Sequence, residues 1–286
     1  MRVLITGAGG QLGADLVARF GRERHHDVLA ATRGELDVGD RDAVLSAITG
    51  WAPDLIVHAA AWTDVDACES DPDRAWRVNA LGARHVADGA RRCGGHLVHL
   101  STDYVFDGRS PNPYTEWDTP HPQSVYGRSK LGGEAEVLRL APAATVVRTS
   151  WLCGVHGTNM VKTVLRLAAD RDRLAFVDDQ RGCPTFTDDL AAALYDLAVA
   201  RRPGLFHVTN QGPTTWYRFA QDIVLLAGRD PGMVSPITTA ELDPPRAAPR
   251  PANSVLDNAA LRLCGLPLLP DHHEPLARTV AALLSS

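Results

Sequence analysis

The sequence has no apolar stretch approaching the roughly 20 residues needed to cross a bilayer, so a membrane-spanning protein is not expected. It has no run of Lys and Arg, and its formal net charge is -5, so a nucleic-acid partner is not expected either. Cysteine is sparse: Cys68, Cys93, Cys153, Cys183 and Cys264 are odd in number, and no two fall in CxxC spacing. That excludes a disulfide framework or cysteine zinc site and suits the reduced thiols of a cytoplasmic protein. Met1 runs straight into "RVLIT" without a basic, apolar and cleavable signal pattern. No internal repeat is visible. What is left is ordinary globular composition: 286 residues, 45% hydrophobic and 22% charged, enough for one large domain or two lobes.

Short β-branched runs alternate with helical patterns through the first half. "RVLITG", "HDVLAAT", "PDLIVHAAA", "HLVHLST" and "ATVVRTS" read as strands, with helices over 11–24, 40–50, 72–94 and 124–140. Near-continuous apolar strands separated by helices predict an α/β fold: a doubly wound, Rossmann-like parallel sheet covered on both faces. Past residue 150 the pattern loosens. A helix is expected near 158–170, then "TDDLAAALYDLAVA", the strand "GLFHVTN", the helix "TWYRFAQDIVLLAG" and a last helix near 274–285. The proline-rich 235–275 reads mostly as loop. The predicted layout is a dinucleotide-binding lobe over 1–152, completed by about 186–210. A smaller C-terminal substrate lobe would comprise 153–185 and 211–286.

"ITGAGGQLG" spaces Gly7, Gly10 and Gly13 as GxxGxxG between a strand and a helix. Glycines there permit the tight turn and let backbone approach a pyrophosphate at the helix N-terminus. After the second strand comes "ATRGELDV", with Arg33 where an acidic residue would select NAD. An arginine there can pair with the 2′-phosphate of NADP. It could equally be a solvated surface arginine, so NADPH is favoured with NADH as the alternative. Asp37 fits adenine or ribose contact, or else an N-cap for the helix beginning "GDRDAV". The three alanines of "HAAAWTDVDACE", counted as the end of the fourth strand, suit a flat cofactor surface, though small residues are also common in buried strands.

The fifth strand, as counted from the sequence, ends in "STDYVFDG", and "VYGRSK" follows with Tyr126 and Lys130 at i and i+4, one face of a helix. A nearby cation favours phenolate. Moving a phenol from about 10 to about 7 requires about 4 kcal/mol of differential stabilisation. A partly desolvated ammonium could supply much of that. Hydride transfer to a carbonyl leaves an alkoxide that needs a proton. In that reaction Tyr126 is the expected general acid, Lys130 tunes it and holds the nicotinamide ribose, and Thr102 positions the oxygen. Such a Tyr/Lys pair alone is commonplace; beside the glycine loop and the Ser-Thr strand end it is informative. Gly132 and Gly133, costly in a helix, point to close packing on a neighbour or the cofactor.

These motifs resemble the extended short-chain dehydrogenase/reductases and, within them, the dTDP-4-dehydrorhamnose reductase family. The likeness runs nearly end to end: "GAGGQLG", "HAAAWTDVDACE", Asn79, "STDYVFDG", "YGRSK", "VVRTSWLCG", "DQRGCPT", "G.FHVTN" and "RPANSVLD". The resemblance implies reduction of the 4-keto group of dTDP-4-dehydro-L-rhamnose by NADPH or NADH, giving dTDP-L-rhamnose for cell-surface polysaccharide. It carries over Thr102, Tyr126 and Lys130 as the catalytic trio and puts Asp103 and Trp151 at the sugar. Gln11, Leu12, Val38, Ala61, Trp62 and Thr63 would line the cofactor. Trp151 could instead be a core tryptophan. Trp62 and Cys153 stand where the family often has tyrosine, changes of bulk expected to alter affinity rather than reaction. Some members are magnesium-bridged dimers using glutamates. The matching places near Asp15 and Asp188 hold aspartates, so no metal is predicted. "DHHE" at 271–274 reads as a polar lead-in to the last helix. A monomer or homodimer is expected.

Two other classes compete. An NAD-dependent epimerase or dehydratase would return the hydride to its substrate, and a dehydratase wants more carboxylates than Asp103 alone. A non-catalytic partner-binding protein, such as the regulatory subunit of methionine adenosyltransferase, has no physical need for Thr102, Tyr126 and Lys130 together. Net NADPH consumption separates the reductase from both.

Overall fold

Apolar, β-branched runs become the buried strands of one parallel sheet. β1 (Arg2–Thr6), β2 (Asp27–Ala31), β3 (Leu55–His58), β4 (His96–Thr102) and β5 (Thr145–Thr149) come from the first half of the chain. The structure, a computed structural model, describes residues 1–285; Ser286, the last residue of the predicted C-terminal lobe, lies outside the described residues. The strands preceding "AAAWTD" and "DYVFDG" are third and fourth along the chain, one place earlier than the sequence reading counts them.

The helices are α1 (Gln11–Gly21), α2 (Arg41–Trp51), α3 (Val65–Ser70), α4 (Pro72–Trp76), α5 (Gly82–Cys93) and α6 (Val125–Leu140). In the second half, α7 (Met160–Asp170), α8 (Thr187–Val199), α9 (Trp216–Leu226), α10 (Ala259–Leu263) and α11 (His273–Leu284) follow. Among the shorter strands, β6 (Leu152–Cys153) pairs with β9 (Thr185–Phe186) and β8 (Arg181–Gly182) with β11 (Thr214–Thr215). β7 (Leu174–Val177) pairs with β12 (Val234–Ile237), and β10 (Gly204–His207) joins the main sheet beside β5.

The sheet order is β10-β5-β4-β3-β1-β2. It reverses direction between β1 and β3, and a doubly wound sheet opens its crevice there at the strands' carboxyl ends. Alternate residues feed opposite faces: Val3 and Ile5 join α1 and α8 in one core, and Leu4 joins α2 and α5 in the other. A third core, around Phe186, Phe219, Ile223, Leu276 and Val280, belongs to the C-terminal elements.

Three expectations change. The helix predicted over 72–94 is broken: Asp71 caps α4 with Pro72 at its first position, and a π-helical turn (Arg77–Leu81) separates α4 from α5. The stretch 235–275 contains β12 residues and α10 in addition to loop. Asp40, not Asp37, caps α2 by accepting from the N–H groups of Asp42 and Ala43.

α6 is fixed to the sheet by buried charge. Glu134 takes a two-pronged contact from Arg148 of β5 (2.9 and 2.7 Å) and a 2.5 Å hydrogen bond from Ser101 Oγ of β4. Both charged side chains are about as buried as any in the chain, at 4% and 3% exposure. Gly133 and Gly132 allow the approach on the other side: a Cβ would meet the Asn79 carbonyl oxygen or the Trp76 ring, each at 2.5 Å. Deleting one partner of such a pair strands the other charge. Glu134→Gln is therefore expected to lower stability by roughly 3–5 kcal/mol in urea unfolding. Glu136→Gln, on the exposed face, should change it by less than about 1 kcal/mol. Equal effects of the two would contradict the anchoring role.

Candidate active site

The glycine loop turns where the sequence puts it. Gly7 has φ 72° and a Cβ there would lie 2.7 Å from the Ala60 nitrogen; a Cβ on Gly13 would run into the Gly7 carbonyl oxygen. Gly10 is the N-cap of α1. A cleft of about 430 Å³ opens beside the loop, lined among others by Gly7, Gly10, Arg33, Asp37, Val38 and Ala61. Trp62 also lines it, with the Arg74 guanidinium 4.2 Å above its ring. This shape, with small residues along one wall and a cation on the rim, fits a dinucleotide.

Not every predicted cofactor residue turns toward that cleft. Leu12 is 5% exposed and packed in the core, which leaves only its backbone available. Gln11 donates to the Leu152 carbonyl and accepts from Asn159, tying the loop to the C-terminal part of the chain. Thr63 is exposed and is not among the cleft-lining residues. Arg74 was missed by sequence reading; nothing in its local pattern marks it.

Asn79, in the π turn, clamps the third strand's exit. Its Oδ1 accepts from the Trp62 N–H (2.8 Å), and its Nδ2 donates to the Trp62 carbonyl (3.1 Å) and Ser129 Oγ (2.9 Å). This joins the alanine wall to α6. Tyr126 and Lys130 lie on the buried face of α6, 8% and 3% exposed, and Ser124 caps the helix through the Gly127 N–H. Lys130 Nζ donates to the Leu100 carbonyl of β4 at 2.5 Å. Burial drops its pKa to about 8, with Glu134 acting in the opposite sense. Two stacked histidines, His58 and His99, sit near it; burial and the lysine's charge hold both neutral.

Burial works against the predicted acidified phenol. Burial, the largest influence, pushes the Tyr126 pKa well above its ordinary value; the Thr102 hydroxyl, within hydrogen-bonding reach, pulls it down, and the Asp103 charge pushes it up again. Lys130 is not among the main influences, and its ammonium is engaged with the strand carbonyl. Desolvation therefore outweighs the cation, and the phenol stays protonated.

Thr102 donates to Asp103 Oδ1 (3.0 Å) and accepts from the Tyr104 N–H (3.2 Å). Asp103 is buried, with Oδ2 unpartnered; the nearby Ser254 hydroxyl turns to the Arg181 carbonyl (3.3 Å). Burial raises the Asp103 pKa from 3.8 to about 6 against the pull of Ser254 and Thr102.

A second cleft, of about 360 Å³, runs from Tyr104 past Gln180 and Trp216 to Arg246 and Arg250. Tyr104 meets Tyr126 edge-on at 5.6 Å, so the cleft adjoins the phenol. Arg250 grips Asp66 through both amino groups (3.0 and 2.7 Å). Trp151 is half-buried, has φ 46°, and stacks on Trp216 with centroids 3.4 Å apart. A bulky residue in that conformation is strained, a feature that clusters at functional sites. Arg250 lies in "RPANSVLD" and Gln180 in "DQRGCPT", although the sequence reading assigns neither to the site; Trp216 and Arg246 carried no signal. Asp188 is bridged to Arg278 (3.2 Å) and Asp15 faces His156 (3.7 Å), a donor set that does not suit a shared magnesium.

Comparison with known proteins decides the family. The RmlD substrate binding domain model matches residues 1–285. The chain belongs to that family. It is similar to dTDP-4-dehydrorhamnose reductase of Streptomyces griseus, 43% identical over 291 residues, covering 100% of this chain and 92% of that protein. It is also similar to dTDP-4-keto-6-deoxy-D-glucose reductase of Streptomyces niveus, 42% identical over 281 residues, covering 98% and 96%. A solved dTDP-4-dehydrorhamnose reductase from Bacillus anthracis str. Ames, in complex with NADP, superposes with a TM-score of 0.93 at 37% identity, covering 100% and 99%.

The raised Asp103 pKa has a thermodynamic consequence. Its contribution is fully present below 3.8 and is lost as pH rises through about 6, because the folded state then holds a proton that the unfolded state has released. In Asp103→Asn the neutral group is permanent. The melting-temperature advantage of the variant over the parent should therefore widen across that window; a flat difference would show that Asp103 titrates normally.

Proposed function

We propose that the chain reduces the 4-keto group of dTDP-4-dehydro-L-rhamnose to dTDP-L-rhamnose with NADPH as hydride donor, NADH being the alternative. What supports this is Tyr126 on the buried face of α6, edge-on to the cleft-lining Tyr104 and one turn from Lys130, in a chain matched end to end by the reductase family. Residues 1–152 with about 186–210 form the cofactor lobe in this reading. The substrate lobe is 153–185 with 211–286. No helix among the described residues is long and apolar enough to cross a membrane; we assign the protein to the cytoplasm, where such sugar nucleotides are made.

NADPH supplies the hydride when bound; the chain's own residues handle position and proton. Gly7, Gly10 and Gly13 let backbone N–H groups face a pyrophosphate, and Arg33 offers a cation to a 2′-phosphate. Tyr126, protonated at neutral pH, holds the proton the developing alkoxide requires, and Thr102 orients the phenol and carbonyl oxygens. Lys130 lies behind the phenol, available to a ribose hydroxyl. In the second cleft, Arg246 and Arg250 face the diphosphate, and Trp151, stacked on the cleft-lining Trp216, offers an apolar edge to the pyranose.

The Streptomyces niveus relative, equally similar and named for a different dTDP-4-keto sugar, favours a second reading: the same chemistry on another 4-keto-6-deoxy epimer. Assaying NADPH loss against a panel of dTDP-4-keto sugars separates them. Equimolar NADPH consumption with dTDP-4-dehydro-L-rhamnose is expected; no net consumption would favour an epimerase or a non-catalytic protein. Tyr126→Phe should lower turnover by roughly 10²–10⁴ while sparing NADPH binding. Near-normal turnover would remove Tyr126 as donor. Arg33→Ala should lower the ratio of NADPH to NADH efficiency, and an unchanged ratio would remove the basis for NADPH preference.

A further inference from the structure

The C-terminal "DHHE" meets a residue that its own spacing cannot reveal. α9 presents Asp222 to the start of α11, where His272 and His273 stack with ring centroids 4.1 Å apart. Ligating atoms from these three side chains lie within 4.8 Å of one another.

The tautomers are set from behind. His273 Nδ1 donates to Asp271 Oδ1 (2.5 Å), and His272 Nδ1 donates to the Gln211 carbonyl (3.2 Å). An imidazole whose Nδ1 carries the proton presents a bare Nε2 lone pair, the arrangement in which a carboxylate or carbonyl orients a metal-binding histidine. The Nδ1 atoms of His273 and His272 lie 2.5 and 4.0 Å from Asp271 Oδ1, and the two rings stack with 28° between their planes. On its other side, His273 Nε2 stands 3.7 Å from Asp222 Oδ2. His272 is 2% exposed and its Nε2 has no hydrogen-bond partner. A buried lone pair without a donor is costly and is ordinarily satisfied.

We propose that Asp222, His272 and His273 bind one divalent transition-metal ion of the zinc type. Two imidazoles and a carboxylate suit zinc and its neighbours, whereas magnesium and calcium prefer oxygen alone. Zinc ligands at 2.0–2.1 Å stand about 3.3 Å apart, so closure asks side-chain adjustments of about 1 Å. The fourth position is open to water, His273 and Asp222 being 65% and 33% exposed. The ion's role is structural. It ties the start of α11 to α9, whose first residue, Trp216, stacks on Trp151. This inference does not depend on which sugar is reduced or on the proton donor.

The test uses the full-length chain stripped of metal with chelator and titrated with Zn²⁺ alone, then with Co²⁺ followed by visible absorption. One equivalent of Zn²⁺ is expected to bind and raise the melting temperature, and Co²⁺ should give the bands of a low-coordinate nitrogen/oxygen site. Asp222→Asn and His273→Gln, both partly exposed and expected to fold, should each weaken Zn²⁺ binding at least tenfold and abolish the Co²⁺ bands. His272→Ala is the harsher variant and is read only if its circular dichroism matches the parent. Failure of the parent chain to bind one equivalent of Zn²⁺, or undiminished binding by Asp222→Asn and His273→Gln, would overturn the assignment.

Discussion

The buried Glu134–Arg148 pair is the constraint on which the site depends. It sits two helical turns along α6 from Tyr126, with Lys130 between them, so the three side chains form one stripe pointing into the sheet edge. Because each charge is intolerable alone at that depth, the pair fixes the rotation and height of α6 against β4 and β5. Lys130 adds a bond to the β4 carbonyl at Leu100, and Asn79 fastens the helix's other side to the exit of β3. A phenol carried on an untethered helix could not be held near the Thr102 hydroxyl to the accuracy that proton transfer requires.

That anchoring comes with desolvation, and desolvation sets the protonation states. Tyr126 keeps its proton, Lys130 is drawn toward neutrality, His58 and His99 are neutral, and Asp103 is held to a higher pKa than a free carboxyl. The site is thus a low-dielectric pocket in which hydrogen bonds, more than net charge, distinguish one group from another. The sequence-based picture of an ammonium acidifying a phenol treats the pair as if in isolation, and burial reverses its outcome.

The two clefts have different physical characters that suit different ligands. The first is walled by glycine and alanine backbone with cations at the rim; the second is walled by aromatics with two arginines, one of them committed to Asp66. Arg250 and Asp66 come from opposite ends of the chain, so their contact also sets how the C-terminal segment approaches the site.

Local sequence was sufficient for the elements whose signals are local. The GxxGxxG loop, the five N-terminal strands and the Tyr126/Lys130 spacing follow from periodicity, turn chemistry and i,i+4 geometry, all readable within a few residues. What the sequence could not supply were long-range encounters and the dielectric around them: Arg148 reaching Glu134, Trp216 lying on Trp151, Arg250 reaching Asp66, and Asp222 meeting the histidines of "DHHE". No pattern in one segment encodes its distance from another. The same limit applies to pKa values, since burial is a property of the packed chain and carries no local mark in the string.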